Sequence, residues 1–372
     1  MNTPRKTALC LTGGGVTGAL YQVGALSAVE AVLEGTAFDV YVGTSSGAAV
    51  AAGLAGGVSV QRLYRALIDP ADNYFPLERG HILSFDFGEW KHTIEAVGAA
   101  MRRGFATLVA RSPAPMPSDV WEQLDRFFDA MPAGLFTLDR YERFLAEVFL
   151  RRRIPNSFRA IEKRLLVTSV DLDTGAPVLF GDEGFDHVPV SLACAASMAL
   201  PVFFSPVRVG ERFYIDGGVG PANEIAIARA HGAGLIVVIN PNVPVRPESG
   251  AGGVPTGYGA GTSLRDKGLM WVYNQSMRSN VQARLRSAID RLEPGGPEVL
   301  LLEPDPTEAL RFARNAASPA ARREILQWAH RSARDIIRKW AAERVPSLSS
   351  FGWRLAANDR AAQPSIPPPP PA

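Results

Sequence analysis

An excess of charge of either sign is missing from this sequence. Its 39 Lys and Arg against 37 Asp and Glu leave a formal charge of +2 over 372 residues. That balance offers no polyelectrolyte surface, so nucleic acid is not an expected partner. Cysteine is scarce too. Cys10 and Cys194 lie in apolar runs without metal-ligand spacing, which argues against a disulfide framework or a zinc site and for two buried thiols. Uninterrupted apolar stretches are also few. After Met1–Lys6, the run Thr7–Thr12 is cut off by glycines, too soon for a secretory segment, and a cytoplasmic protein is the default expectation. The uncharged window Val188–Val207 contains Pro189, Pro201 and Pro206, and is expected to line a core as loop and strand rather than to span a membrane.

What is present is globular: 47% apolar residues and a length that suits one large domain or two ordinary ones. Thr7–Leu11 reads as a buried strand, Ala19–Leu33 as a helix and Phe38–Val42 as a second strand, a unit that implies parallel pairing with a right-handed crossover. Ala48–Leu54 follows as a helix of small side chains. Between about residues 70 and 132 aromatics, prolines and short amphipathic pieces suggest an inserted cap. In it Trp90–Arg111 carries an apolar stripe and several arginines, a candidate for peripheral membrane contact or, more plainly, for packing on its own protein. Thr137–Phe149 reads as a helix whose closing Arg151–Arg153 complements the dipole. Leu165–Val170 and Pro177–Phe180 read as a hairpin, with Asp171 and Asp173 serving the turn rather than calcium. Leu235–Ile239 and Val299–Leu302 are expected strands, Leu264–Leu292 and Pro319–Val345 expected helices, and Gly250–Gly261 a mobile glycine-rich stretch. One domain over residues 1–345 is expected, followed by a Pro-rich, disordered or extended tail over 346–372.

Two glycine-rich turns carry the chemistry. Gly43-Thr44-Ser45-Ser46-Gly47 matches Gly-x-Ser-x-Gly, the pattern in which a strained strand-to-helix turn projects a serine hydroxyl. With 35 glycines in the chain the five letters are weak alone, and the preceding strand and following helix strengthen them. The other turn, Gly13-Gly14-Gly15 at a helix start, offers backbone N–H groups with no side chains in the way, the makings of an oxyanion hole. It has a competing identity. Gly13, Gly15 and Gly18 also satisfy G-x-G-x-x-G, with Asp39 at the distance a dinucleotide site expects, so a dinucleotide-binding oxidoreductase is the alternative. Asp39 falls early in its strand, however, and Ser45 occupies the end where a ribose ligand belongs. For a base the five histidines are weak candidates; His231 is better placed to cap a helix. Asp216, in Asp216-Gly217-Gly218, ends an apolar strand on a glycine turn, where it serves either as a base or as ordinary turn chemistry.

Gly13–Gly18, Gly43–Gly47, Ala196-Ser197-Met198-Ala199-Leu200-Pro201 and Asp216-Gly217-Gly218, in this order, resemble the patatin-like phospholipase family. The similarity covers roughly Thr7–Asn240. It implies a three-layer α/β/α fold with a mainly parallel sheet, lipid acyl hydrolysis, a lipid or phospholipid substrate, no cofactor or metal, and a Ser-Asp dyad. By position, Ser45 is then the nucleophile and Asp216 the base. Gly13, Gly14 and Gly15 are the oxyanion donors, and Gly18, Gly43, Gly47, Gly217 and Gly218 shape the turns. Thr17 departs from the Arg or Lys usual in the family. A fold retained for lipid binding without catalysis is a further alternative.

Overall fold

The computed structural model describes residues 5–69, 71–84, 131–247, 254–256, 258–313 and 318–356, together with the isolated positions 90, 91, 94, 95, 125 and 129. Most of the inserted region about 70–132, including nearly all of Trp90–Arg111, and residues 357–372 therefore lie outside the described residues.

Eight strands form the central sheet: β1 (Lys6–Leu11), β2 (Val40–Gly43), β3 (Arg164–Asp171), β4 (Pro177–Phe180), β5 (Val207–Val209), β6 (Arg212–Asp216), β7 (Ala233–Ile239) and β8 (Glu298–Leu302). The order is β8-β7-β1-β2-β3-β6-β5, with β4 on β3. From β8 to β3 every pairing is parallel; the pairings β3–β4, β3–β6 and β6–β5 are antiparallel. Strands covered on both faces need apolar residues at nearly every position. Ala233–Ile239 meets that requirement, with all seven residues buried.

The helices used below are α1 (Gly15–Val32), α2 (Ser46–Ala55), α3 (Val60–Ile68), α4 (Asp139–Arg152), α5 (Val190–Met198), α6 (Glu224–Ala230), α7 (Leu269–Asp290) and α8 (Pro319–Ala342). Alternate strand residues separate into two cores. Leu9, Leu11, Tyr41, Leu165 and Val167 point to the side of α1, α2, α5 and α8. Ala8, Cys10, Val40, Val42 and Leu166 point to Ile225 and Ala228 of α6 and Val281 and Leu285 of α7. The result is three layers, α/β/α, with both cysteines free and buried.

Several sequence expectations shift. α1 begins four positions early, since Gly14 at φ 132° lets the chain enter the helix straight from the turn. The expected long helix from Leu264 divides at Gly268, whose φ of 82° separates a 3₁₀ turn (Leu264–Lys267) from α7. Val188–Val207 holds a nine-residue helix, α5, and a short strand, Val202–Phe204, where loop and strand were expected; its prolines fall outside the helix interior. Within the glycine-rich stretch, Val254–Thr256 pairs with Gly259–Gly261. The chain past Pro346 is also ordered as far as Ala356. Arg354 and Leu355 pair with Glu34 and Leu33, and Trp353 is buried edge-on against Phe38 with ring centroids 5.4 Å apart. The apolar residues Leu348, Phe351 and Trp353 are too few for periodicity to be visible, yet all three are buried.

Among the described residues no helix is long and apolar enough to cross a membrane.

Candidate active site

In a parallel sheet the loops at the carboxyl ends of the strands collect on one edge. Leu11 is in register with Gly43 and with Ile239, so the first glycine turn, the Ser45 turn and the loop Asn240–Val243 all leave the sheet together. β6 adds Asp216 to the same edge.

Ser45 stands at φ 55°, ψ −127°, the N-cap position of α2. A side chain there costs on the order of 1–3 kcal/mol and persists only where surroundings impose it. Those surroundings are specific. The Thr44 N–H donates to the Leu11 carbonyl at 2.9 Å, and the Ser45 N–H donates to Ser197 Oγ at 2.8 Å. Thr44 Oγ1 donates to the buried Glu224 carboxylate at 2.8 Å and lies 2.7 Å from Thr168 Oγ1. A Cβ at Gly47 would collide with the carbonyls of Leu11 and Thr12, which explains the second glycine of the pattern.

Asp216 is 3% exposed. Its Oδ1 accepts the Gly218 N–H at 2.7 Å, and its own N–H donates to Ala199 at 3.0 Å. Burial pushes its carboxyl up from the usual range to about 6. Hydrogen bonds from Ser45 and Gly218 and the charge of Arg284 pull it down, and the charge of Glu224 raises it further. An aspartate poised near neutrality on the same cavity wall as a serine hydroxyl is suited to accept that hydroxyl's proton.

The first glycine turn closes over Ser45. A Cβ at Gly13 would lie 2.9 Å from Ser45 Cβ and 3.3 Å from its Oγ, so only glycine leaves the hydroxyl its place. Gly15 opens α1, and among the described residues no acceptor takes the N–H groups of Gly13, Gly14 or Gly15. Unpaired amides at a helix start favour negative charge. Asp216, Ser45 and Gly13–Gly15 line one cavity of about 340 Å³, whose walls include Leu200, Phe203, Phe204, Trp271 and Met277.

Two residues of this cavity are unanticipated in the sequence. Arg278, 9% exposed, donates from Nη1 to the carbonyls of Pro241 and Val243 and stands 5.2 Å from the Phe312 ring, with no carboxylate partner among the described residues. Desolvation lowers its pKa to about 10, which leaves it charged at neutrality. Pro241 and Asn242 in turn pack against Gly13 and Gly14. Neither Arg278 nor Asn242 belongs to a recognisable motif. The one available signal was a helix that carries Arg278 with no acid within a turn of it.

Other sequence candidates lie elsewhere. Asp39 accepts the Thr7 N–H at 3.0 Å at the start of β2, on the sheet edge opposite the glycine turn, where it cannot reach a ligand held there. His231 caps α6 and bonds Ile227 through its ring at 2.9 Å; His330 lies 2.8 Å from Ser27 Oγ. Among the described residues no histidine lines the cavity. Asp171 serves its turn, accepting from the Asp173 and Thr174 N–H groups and from Arg212. No cluster of potential metal ligands occurs among the described residues. Arg152 ties α4 to the carbonyls of Asn73 and Tyr74. Thr17 lines the cavity and its hydroxyl lies 3.4 Å from the Gly14 carbonyl.

Residues 9–229 match the sequence model of the patatin-like phospholipase family. No curated protein sequence matches the chain. Among solved structures, it is similar to VipD from Legionella pneumophila, with 15% identity, TM-score 0.41, and 91% of this chain and 67% of that one covered. It is also similar to the type III effector protein ExoU, with 15% identity, TM-score 0.34, and coverage of 90% and 53%. In the heterodimeric ExoU–SpcU complex of Pseudomonas aeruginosa the figures are 16% identity, TM-score 0.30, and coverage of 94% and 61%. The chain thus spans between about half and two thirds of the length of these proteins.

Proposed function

Because the chain belongs to the patatin-like phospholipase family, we propose that it hydrolyses carboxylic esters of phospholipids or related lipids through an acyl-Ser45 intermediate. The observation that carries the reading is the convergence of the strained Ser45, the buried Asp216 and the unpaired amides of Gly13–Gly15 on one cavity. In this mechanism Ser45 Oγ attacks the ester carbonyl carbon while its proton passes to Asp216. The oxyanion that forms takes the glycine N–H groups as donors, each worth on the order of 10²–10³ in rate. Collapse breaks the bond to the alcohol, which leaves with the proton from Asp216. Water then attacks the acyl carbon, Asp216 accepts its proton, and Ser45 is regenerated as the fatty acid departs. No step calls for a metal or an organic cofactor.

The apolar cavity walls suit an acyl chain. The mouth is suited to a lipid surface as well: Val16 and Leu83 are exposed on the lining, and Leu269 and Val272 project from the first turn of α7, which also carries the lining residue Trp271.

Wild type, Ser45→Ala and Asp216→Asn compared on short-chain esters and on a phospholipid panel test the reading. Both variants are expected to lose at least three orders of magnitude in kcat, and equal rates in all three would overturn it. A fluorophosphonate probe should label Ser45; a folded chain that never labels favours lipid binding without catalysis. Saturable NAD(P)H binding would instead revive the dinucleotide alternative.

A further inference from the structure

One stripe of α7 serves two cavities. Met277 and Val281 face the catalytic one, and three to four residues further along Arg284, Ala288 and Arg291 face another, about 550 Å³, between α7 and α6. Arg229 of α6 and the polar side chains of Asn223 and Ser287 complete its polar lining, and no carboxylate lines it. Among the described residues none of the three arginines takes part in an ion pair. Three arginines lining one cavity without an acid make a positively charged concavity.

The second observation concerns Arg284 itself. Its Nη2 donates to the Gly218 carbonyl at 3.1 Å, while Nε and Nη1 are buried without any partner. Buried donors on a charged group are costly to leave unpaired, and such a group marks a functional position. Arg284 also stands next to the reacting groups. Gly218 donates its N–H to Asp216, and the positive charge of Arg284 acts on the same carboxyl. The groups that face Asp216 are the Ser45 hydroxyl, the Gly218 N–H, Arg284, Glu224 and Tyr273. Of these only Arg284 borders the second cavity.

We propose that the cavity between α6 and α7 binds a phosphate group through Arg229, Arg284 and Arg291, and that its occupancy regulates the acidity of Asp216. Guanidinium forks match the geometry of phosphate oxygens and hold them by paired charge-assisted bonds. A bound dianion offsets the field of Arg284 at Asp216, so the carboxyl keeps its proton to higher pH and the acid limb of activity moves upward. Arg284 is in this scheme a positioning residue that never touches the ester. The binding part stands on the cavity alone; the coupling rests on Asp216 being the base.

The test uses the full chain. Calorimetric titration with inorganic phosphate is expected to show one saturable site, weakened at least tenfold in Arg229→Gln/Arg291→Gln, whose turnover of a neutral soluble ester without phosphate matches wild type. In wild type, saturating phosphate should shift the acid limb of kcat/KM upward, and in the double variant it should not. Arg284→Gln should shift the limb upward with no phosphate present. Phosphatidylcholine vesicles with and without phosphatidic acid separate the sources: a shift produced by phosphatidic acid and not by inorganic phosphate assigns the site to a lipid headgroup, and the reverse assigns it to free phosphate. Absence of binding by either, binding that survives the double variant, or an acid limb that does not respond overturns the proposal. A protein that cleaves no ester at all defeats the hydrolase reading instead, while the titration still decides the site.

Discussion

Asp216 is held between opposing demands. Burial keeps its carboxyl acidity near a pKa of about 6 against an ordinary value of 3.8, and the same burial places it against Ser45. As the proposed base, Asp216 would have to be a carboxylate, so kcat/KM should climb about tenfold per pH unit below pH 6 and level off above it. A pH–rate profile on a soluble ester checks this; a limb centred near pH 4 would contradict it. For stability the sign is opposite. The folded protein binds the extra proton more tightly than the unfolded chain, so stability is highest below about pH 4 on this account and is lost as pH rises through 6, by roughly 3 kcal/mol. Asp216→Asn, which carries no charge to bury, should therefore abolish activity while raising Tm by several degrees at pH 7 and by little at pH 4. Thermal melts at the two values distinguish this from a variant that is merely misfolded. Gly13→Ala makes a complementary case. Its methyl would occupy space that Ser45 Cβ holds, so at least a 100-fold loss in kcat is expected, with the labelling rate of Ser45 by a fluorophosphonate falling in parallel.

The elements built from motifs were the legible ones. The Ser45 turn was readable because a strand, five letters and a helix of small residues must occur together, and the structure does place them so. What fixes that turn was not readable: Glu224, Thr168 and Ser197 come from three distant segments, a strand and two helices, and only the packing of those helices on the sheet puts them against Thr44 and Ser45. α7 was legible as a helix and illegible as a wall of the cavity, since an arginine in a helix is ordinarily solvated. The short C-terminal elements were missed for a different reason. They follow a proline and have no periodicity, and their worth lies in a few large side chains. Among the described residues Trp353 is the largest fully buried side chain, and it closes the core against Phe38. Trp353→Ala should accordingly cost about 3–5 kcal/mol in denaturant unfolding, far from the site, with kcat unchanged in the folded fraction.

At the level of the whole molecule the fold solves a delivery problem. Ser45, Asp216 and the glycine amides are separated widely in sequence, and they meet because β1, β2, β6 and β7 end on the same edge. That edge is also where apolar side chains are left uncovered. Leu269 is 73% and Val272 52% exposed, and α7, which bears them, also supplies Trp271, Met277 and Arg278 to the cavity. A water-soluble ester reaches such a cavity by diffusion, whereas a phospholipid must be drawn from an aggregate, and burying two aliphatic side chains in lipid favours that approach at about 25 cal/mol per Å². The two substrates therefore separate chemistry from docking. Leu269→Ser/Val272→Ser should leave kcat/KM on a short-chain ester within twofold of wild type, and should lower hydrolysis of phospholipid vesicles and co-sedimentation with them by at least fivefold. Equal losses on both substrates would place these side chains in folding or catalysis, and no loss on either would mean that lipid enters by another face.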